Sequence, residues 1–161
     1  MILRIIFSLF IFFSLASNSY SASSSSDGGS KSNYDKAANL IKAAKKYESK
    51  GKNEKAKKRY ERALKLLIKS NKEKPNQADT LNYLGFATRK LGNYEEGEKY
   101  YLLGLKIDPN HKGINEYLGE LYVVTNRIDL AKQRLDVLKN CNCQEYEELK
   151  DIIDGNKKSK Y

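Results

Sequence analysis

One residue pattern recurs in this chain at a spacing of 34 positions, and this spacing limits the folds that the chain can adopt. Tyr83-Leu84-Gly85 recurs as Tyr117-Leu118-Gly119, and Gly97 is matched by Ala131 at the same shift (117 − 83 = 34 and 131 − 97 = 34). A period of this length is typical of helical repeats, in which each unit is a pair of antiparallel helices and neighbouring units stack to share a core. The sequence therefore predicts an all-α array of helix pairs.

A further copy of the pattern precedes these two, with an insertion. The segment GNYEEG at 92–97 aligns with GKNEKA at 51–56, a shift of 41, whereas Pro109 aligns with Pro75 at a shift of 34. The seven extra residues (41 − 34 = 7) are about two helical turns, so they can lengthen a helix without rotating its apolar face. The sequence thus predicts three repeats, with an extended second helix in the first: 34–77, 78–111 and 112–143.

The spacing within residues 78–111 resembles that of the tetratricopeptide repeat family. The matching positions are Leu81-x2-Leu84-Gly85-x2-Thr88, then Gly97-x3-Tyr101 and Pro109, with Gly92 at the turn. Thr88 and the absence of tryptophan depart from the family signature, and the first and third copies follow it less closely. The resemblance implies a right-handed superhelical array of three helix pairs with a C-terminal capping helix. It also implies a concave face that binds a peptide or a protein.

Small residues recur where the two helices of a pair should approach each other. Two antiparallel helices pack closely only where side chains are short. We therefore expect Gly85 to face Gly97 in the second repeat, and Gly119 to face Ala131 in the third.

The end of the chain is predicted to close the array. Tyr146, Leu149 and Ile152 fall on one helical face of residues 144–155, so this segment can cover the last apolar surface of an open array. Residues 156–161 are polar and are predicted to form a frayed tail.

The start of the chain predicts export. Residues 1–22 carry one basic side chain, Arg4, before an apolar run that is too short for a bilayer span of about 20 residues, and this is typical of a secretory signal peptide. An uncleaved membrane anchor is the alternative. Residues 23–33 are rich in serine and glycine and are predicted to be a disordered leader, with Asn33 as the cap of the first helix. The bacterial periplasm is the first compartment that we expect, and secretion or association with the envelope is the alternative.

The positive charge of the chain is concentrated in the first repeat. From Lys31 to Lys74 there are 16 basic and 5 acidic residues (16 − 5 = +11), whereas the remainder from Pro75 has 13 and 14 (13 − 14 = −1). Such a surface can meet an acidic envelope polymer or an anionic membrane, but it can equally be a solvated helix face. Nucleic acid is disfavoured because an exported protein does not normally meet it. The basic surface consists of Lys55, Lys57, Lys58, Arg59 and Arg62.

Two cysteines, Cys141 and Cys143, follow the third repeat. In an exported chain they could form a disulfide with each other, act as a redox couple, or remain reduced and buried. A thioredoxin-like site would have two residues between the cysteines, and a structural metal site needs more ligands than these two and His111. We therefore expect no metal and no cofactor.

The sequence shows no catalytic constellation. His111, the single histidine, lies in a Pro-Asn-His turn that opens a helix, where it is expected to cap rather than to act as a base. Asn93 and Asn126 are likewise predicted N-caps of the helices that follow them. The chain is therefore expected not to be an enzyme.

The candidate binding groove follows from the resemblance, because the first helix of each pair lines the concave side in such arrays. Asn82 could then bond a peptide backbone, and Phe86 could be an apolar anchor. The full predicted groove consists of Ile41, Lys45, Asn82, Phe86, Arg89, Lys90, Glu116 and Glu120. Arg89 with Lys90 could hold a carboxylate, and Glu116 with Glu120 would favour a basic ligand residue.

These residues resemble only part of the carboxylate clamp of chaperone-binding tetratricopeptide domains, because Ile41 and Lys45 differ from its first-repeat Lys and Asn. The leading hypothesis is a non-catalytic exported scaffold that binds a peptide or protein. The alternatives are an electrostatic tether, and a thiol-disulfide protein that uses the two cysteines. The sequence does not set the oligomeric state.

Overall fold

The chain is seen in a computed structural model that describes residues 31–159, and within this range it has seven α-helices and no β-strand. The predicted signal peptide, 1–22, and residues 23–30 of the predicted leader lie outside the described residues. The helices are α1 (Asn33–Glu48), α2 (Asn53–Glu73), α3 (Ala78–Lys90), α4 (Tyr94–Ile107), α5 (Lys112–Val124), α6 (Ile128–Leu138) and α7 (Gln144–Ile153).

Consecutive helices pack as pairs, α1 with α2, α3 with α4, and α5 with α6, and α7 packs against α5 and α6. The first helices of successive pairs also contact each other, so α1, α3 and α5 line one side of the array. The prediction of an all-α helical repeat array is confirmed. In residues 31–159, no helix has the length and apolar content that crossing a membrane requires.

The first helix is capped by Ser32 and not, as the sequence suggested, by Asn33. The backbone N–H of Asp35 donates to the Ser32 hydroxyl (3.1 Å), and the backbone N–H of Ser32 donates to the Asp35 carboxylate (3.2 Å). This reciprocal arrangement satisfies donors that the first turn of a helix would otherwise leave unpaired. Asn33 is the first helical residue, and its side-chain amide donates to Glu73 at the end of α2 (2.7 Å).

The turns within the second and third helix pairs both need a left-handed backbone. Gly92 has φ of +92° and Asn126 has φ of +59°. Asparagine tolerates this region better than most residues, so it takes the place of glycine in the third pair. The prediction that Asn126 is an N-cap is therefore wrong, because Arg127 holds that position without a side-chain cap. Asn93 does cap α4, since its side chain accepts from the backbone N–H of Glu96 (3.2 Å).

The second helix is longer than its counterpart in the next pair. Helix α2 has 21 residues and α4 has 14. The longer helix keeps one face inward throughout, because its buried residues recur every three or four positions: Ala56, Tyr60, Ala63, Leu67 and Ser70. An extension of two turns thus leaves the packing face in register, as the argument from helical periodicity requires.

Glycines mark the closest approaches between helices. A Cβ atom on Gly85 would lie 2.5 Å from the ring of Tyr101, and one on Gly97 would lie 3.1 Å from the Gly85 carbonyl oxygen. The close approach of Gly85 and Gly97 agrees with the expectation. At Gly119 the nearest atoms belong to Leu149, at 2.5 Å from a Cβ built at Gly119, and the expected contact with Ala131 stays a prediction. The glycine therefore makes a slot on α5 into which the capping helix inserts a buried leucine.

The turn between α6 and α7 contains a disulfide. Cys141 and Cys143 are bonded through their sulfur atoms, with their Cα atoms 5.2 Å apart. The structure thus has the cysteines paired with each other, which is one of the three states that the sequence left open.

Candidate functional site

A cavity of about 690 Å³ lies on the side lined by the first helices, and we call it the concave pocket. Helix α7 supplies one wall of it, so the pocket is lined by residues of five helices, α1, α2, α3, α5 and α7, and by Ser49 after α1. Its lining residues are Lys45 and Glu48 of α1; Ser49, which follows α1; Asn53 of α2; Phe86 and Lys90 of α3; Glu116, Tyr117 and Glu120 of α5; and Gln144, Glu145 and Glu148 of α7. A cavity of this size is within the range of ligand sites in proteins.

The floor of the pocket is aromatic, and a lysine covers it. The rings of Phe86 and Tyr117 have centroids 4.9 Å apart, and the Lys45 ammonium lies 4.4 Å from the centroid of Phe86. The same ammonium donates a hydrogen bond to the Tyr117 hydroxyl (2.9 Å). Phe86 is only 2 % exposed, so it supports the floor and is not the open apolar anchor that the sequence suggested.

Arg89 lies beneath the pocket and does not open into it. Its side chain is buried at 1 % exposure, donates to the Tyr117 carbonyl (2.5 Å), and lies 3.6 Å from the Glu120 carboxylate. Buried charges of this kind are stable only when they are paired. The expectation that Arg89 holds a ligand carboxylate is therefore wrong, because the guanidinium instead joins Glu120 to the backbone of α5.

Lys90 also forms an ion pair within the chain. Its ammonium forms an ion pair with Glu48 (2.7 Å), and the Tyr60 hydroxyl donates to the same carboxylate (2.8 Å). Burial and the hydrogen bond to Glu48 raise the pKa of Tyr60, which keeps its hydroxyl protonated as a donor. The two bases predicted to bind a ligand carboxylate, Arg89 and Lys90, are thus both paired with glutamates.

The part of the pocket that α5 and α7 line is acidic. Glu116 and Glu120 of α5 line it together with Glu145 and Glu148 of α7. Burial, and then the charge of Glu120, raise the pKa of Glu116 from 4.5 to about 8, although Lys45 acts in the other direction. Glu148 and Glu145 raise the same pKa further. Most Glu116 carboxyls are therefore neutral at pH 7.

A second depression, of about 470 Å³, adjoins the concave pocket and shares Glu116, Tyr117 and Glu145 with it; we call it the side depression. Asn82 lines it and is 7 % exposed, and its side-chain oxygen accepts no hydrogen bond from residues 31–159. His111 also lies there. Its Nδ1 accepts from the backbone N–H of Ile114 (3.1 Å), so it caps α5 as predicted.

Five of the eight predicted groove residues line the concave pocket: Lys45, Phe86, Lys90, Glu116 and Glu120. Asn82 lies in the side depression instead, and Arg89 lies beneath the pocket. Ile41 does not reach either cavity, because it is 2 % exposed and packs in the core of the first helix pair.

Sequence reasoning missed the residues that α7 contributes, together with Tyr117. The alternation of acidic and apolar positions in α7 could have indicated an acidic face, but not that this face meets α5. Tyr117 matches Tyr83 in the repeat alignment, and in the structure it packs against the hydrophobic cores on both sides of it.

The predicted basic surface lies away from both cavities. Lys55, Lys57, Lys58 and Arg62 are exposed on α2, and Arg59 is half-buried over the ring of Tyr47, 6.0 Å from its centroid. None of the five lines the concave pocket or the side depression.

A family model described as tetratricopeptide repeat matches residues 78–111, which contain α3 and α4. One repeat of this family is thus matched, in the second helix pair. A search of curated protein sequences finds no match.

Several solved structures share the fold at 19–20 % identity. The NMR structure of the first such domain of human RPAP3 is 19 % identical, with a TM-score of 0.55 over 75 % of this chain and 92 % of that one. The type III secretion translocator chaperone SycD of Yersinia enterocolitica is 19 % identical, with a TM-score of 0.54 over 75 % and 88 %. The first domain of Spaghetti (RPAP3), bound to the HSP90 peptide SRMEEVD, is 20 % identical, with a TM-score of 0.53 over 78 % and 96 %.

Proposed function

We propose that this chain is a tetratricopeptide repeat protein and a non-catalytic exported scaffold that binds a segment of a peptide or protein in the concave pocket. The observation that carries the proposal is the pocket itself, to which the first helices of all three pairs and the capping helix contribute. The similar domain of Spaghetti, which has the same fold, is bound to a peptide, and this supports the same class of ligand here.

The contacts beneath the pocket support binding without large rearrangement. Arg89 fixes Glu120 and the carbonyl of Tyr117, and Tyr60 and Lys90 fix Glu48. Side chains that are already held in place lose little conformational entropy when a ligand arrives. The pocket is thus organised for binding, and no group in it has the arrangement of a nucleophile and a base.

The residues that would bind an acidic peptide are not available in this pocket. The Spaghetti ligand SRMEEVD carries three acidic residues. In this chain the two candidate bases, Arg89 and Lys90, are paired with Glu120 and Glu48. We therefore do not extend that ligand to this protein.

Export to the bacterial periplasm is part of the proposal, and two observations support it. The first 22 residues have the composition of a secretory signal peptide, and Cys141 is bonded to Cys143. Disulfides persist mainly in oxidising compartments such as the periplasm. Fractionation of cells that express the full chain tests the location: we expect the protein in the periplasmic fraction with residues 1–22 removed.

The electrostatic tether and the thiol-disulfide function remain hypotheses. The lysines on α2 are exposed, as an anionic partner would require, and a helix face that meets only solvent has the same exposure. The disulfide is compatible with a structural role as well as a redox one.

The scaffold is tested by selecting peptides from a random heptapeptide library on the full chain and measuring their affinity for two variants. Ser49→Trp places a large ring at the edge of the pocket, and we expect it to weaken binding at least tenfold. Lys46→Trp introduces the same ring three residues earlier on α1, outside the pocket, and should change the affinity less than threefold. Equal effects of the two variants would show that the peptides bind elsewhere, and helicity measured by circular dichroism confirms that both fold.

A further inference from the structure

The concave pocket has the opposite charge to the chain that carries it. The chain has a formal net charge of +10. The pocket is lined by five glutamates and two lysines, which is a formal charge of −3 when all of them are ionised (2 − 5 = −3). A cavity whose lining has an excess of one sign of charge concentrates ligands of the other sign.

The bases that could balance this charge are held by groups of the chain itself. Lys90 is paired with Glu48, and Lys45 lies over the ring of Phe86 with a hydrogen bond to Tyr117. Glu116 and Glu148, which we call the acidic wall, line the same cavity. An ionised carboxylate only accepts hydrogen bonds, so this wall offers acceptors to a ligand once Glu116 has lost its proton.

Lys157 of the chain itself binds one residue of the acidic wall, Glu148. After α7 the chain turns at Gly155, with φ of +77°, and the backbone N–H of Lys157 donates to the Asp151 carbonyl (3.1 Å). The Lys157 ammonium then forms an ion pair with the Glu148 carboxylate. The hydrogen bond to Glu148 is the main cause of the raised pKa of Lys157, and Glu120 contributes as well. The tail predicted to be frayed is thus attached at this residue.

A separate observation in the side depression also indicates a ligand with donors. The side-chain oxygen of Asn82 is buried and accepts no hydrogen bond from residues 31–159. A buried acceptor without a donor is unfavourable, and an N–H group from a ligand would relieve it. The side depression is continuous with the pocket through Glu116, Tyr117 and Glu145, so one extended segment can reach both.

We propose that the ligand of the concave pocket carries a lysine or arginine side chain that binds between Glu116 and Glu148, and that Lys157 competes with it for Glu148. This inference rests on the proposed function, because it names the class of peptide that the scaffold binds. An acidic or uncharged side chain at the same place would leave the facing carboxylates without a cation, and removal of their water would then be unfavourable.

Cation binding should depend on pH in a defined direction. The groups that face Glu116 are Lys45 of α1, Glu120 of its own helix, and Glu145 and Glu148 of α7. Because the pKa of Glu116 is about 8, a ligand cation that favours its ionised form must displace a proton at neutral pH. The affinity should therefore rise as the pH increases from 7 to about 8, and level off above that value.

The test uses a peptide that copies the C-terminal segment of the chain and a matched uncharged one. The sequence of residues 155–161 gives the acetylated probe GNKKSKY, and replacement of its lysines by glutamine gives GNQQSQY. With the full chain, we expect the lysine probe to bind at least tenfold more tightly in a calorimetric titration. Lys157→Ala should increase the affinity for the lysine probe severalfold, because it removes the competing ammonium.

Two further variants assign the binding to the proposed wall. Glu116→Gln combined with Glu148→Gln should reduce the affinity for the lysine probe to that for the glutamine probe, and Glu116→Gln alone should abolish the rise with pH. Glu147→Gln is the matched control, since Glu147 is exposed on α7 and lines neither cavity. We expect this control to change the affinity less than twofold, and circular dichroism melts confirm that all variants fold.

Different failures separate this inference from the scaffold function. In one outcome, library peptides lose affinity in Ser49→Trp and yet contain no basic residue and bind the double variant with the parent's affinity. That result would overturn the cationic ligand and support the scaffold function. Insensitivity of the lysine probe to the double variant would overturn the cationic site, and an unchanged affinity in Lys157→Ala would overturn the competition. If no peptide responds to Ser49→Trp, both proposals fail.

Discussion

Glu116 is the residue at which folding and binding make opposite demands. Its carboxyl is half-buried beside Glu120, and burial raises its pKa to about 8. The neutral form is therefore the one that the fold favours, whereas a ligand cation favours the ionised form. Residues that are destabilising in one protonation state are often found at functional sites.

The first prediction concerns the stability of Glu116→Gln. Because the folded-state pKa lies above the ordinary value of 4.5, the stabilisation from protonating Glu116 is complete below pH 4.5 and is lost as the pH rises through about 8. Glutamine remains neutral throughout. The free energy of unfolding of the variant relative to the parent should therefore rise by about 1.4 kcal/mol or more, the equivalent of one pKa unit, between pH 5 and pH 9. Urea titrations at the two pH values measure it.

Glu147→Gln is the control for this prediction, because the side chain is exposed. Its free energy of unfolding relative to the parent should differ little between the two pH values. A similar offset for Glu116→Gln at pH 5 and pH 9 would contradict the raised pKa.

The second prediction concerns the contact between Gly85 and Tyr101. A methyl group on Gly85 would lie 2.5 Å from the buried ring, so Gly85→Ala should cost about 1–3 kcal/mol of stability through overpacking. The same substitution in a Tyr101→Leu background should cost less, because the ring is gone. A double-mutant cycle by chemical denaturation measures the difference, and additive effects would show that the two residues do not meet.

At the scale of elements, helix α7 has two roles. It inserts Leu149 into the slot that Gly119 leaves on α5, and it supplies Gln144, Glu145 and Glu148 to the pocket. Covering the last apolar surface of an open array is the general requirement, and the acidic side of the same helix completes the cavity.

The third prediction concerns the attachment of α7. Leu149→Ala removes a fully buried side chain and should destabilise the fold by about 2–5 kcal/mol. It should also weaken the binding of the lysine probe at least tenfold, because the acidic wall loses its position. Leu102→Ala, at an exposed leucine of α4, is the control and should leave both quantities nearly unchanged. Intact binding in a destabilised Leu149→Ala protein would mean that α7 is not part of the site.

At the scale of the whole molecule, charge is divided between two surfaces. Lysines and arginines dominate the exposed side of α2, and glutamates dominate the concave pocket, although the two surfaces belong to one array. None of the basic surface residues of α2 lines the pocket. The two surfaces should therefore act independently.

The fourth prediction tests this independence. Reversal of charge at Lys57, Lys58 and Arg62 should leave the affinity of pocket-binding peptides unchanged within threefold, since none of these residues lines the pocket. If the tether hypothesis is correct, the same variant should lose binding to anionic phospholipid vesicles, and binding by the parent should fall steeply with salt. Loss of peptide binding in this variant would contradict the assignment of the ligand to the pocket.

The sequence was sufficient to predict what is local or periodic. The repeat length, the two added turns of α2 and the left-handed turn at Gly92 all follow from spacing and backbone preference. Periodicity does not show which side chains on one face of a helix are buried by residues of neighbouring helices. Phe86 and Arg89 lie on the predicted side of α3 but are covered by Lys45 and Tyr117, and the contact of α7 with α5 depends on a tertiary fit at Gly119.

The double role of α7 limits how this protein can change in evolution. Repeat proteins commonly lengthen by duplication of a unit, and insertion of a new helix pair before the cap leaves their folding intact. In this chain such an insertion after residue 143 would move Glu145 and Glu148 away from Glu116 by the width of one repeat. A longer descendant would remain folded and lose the cavity, so we expect selection on the ligand to hold the number of repeats at three.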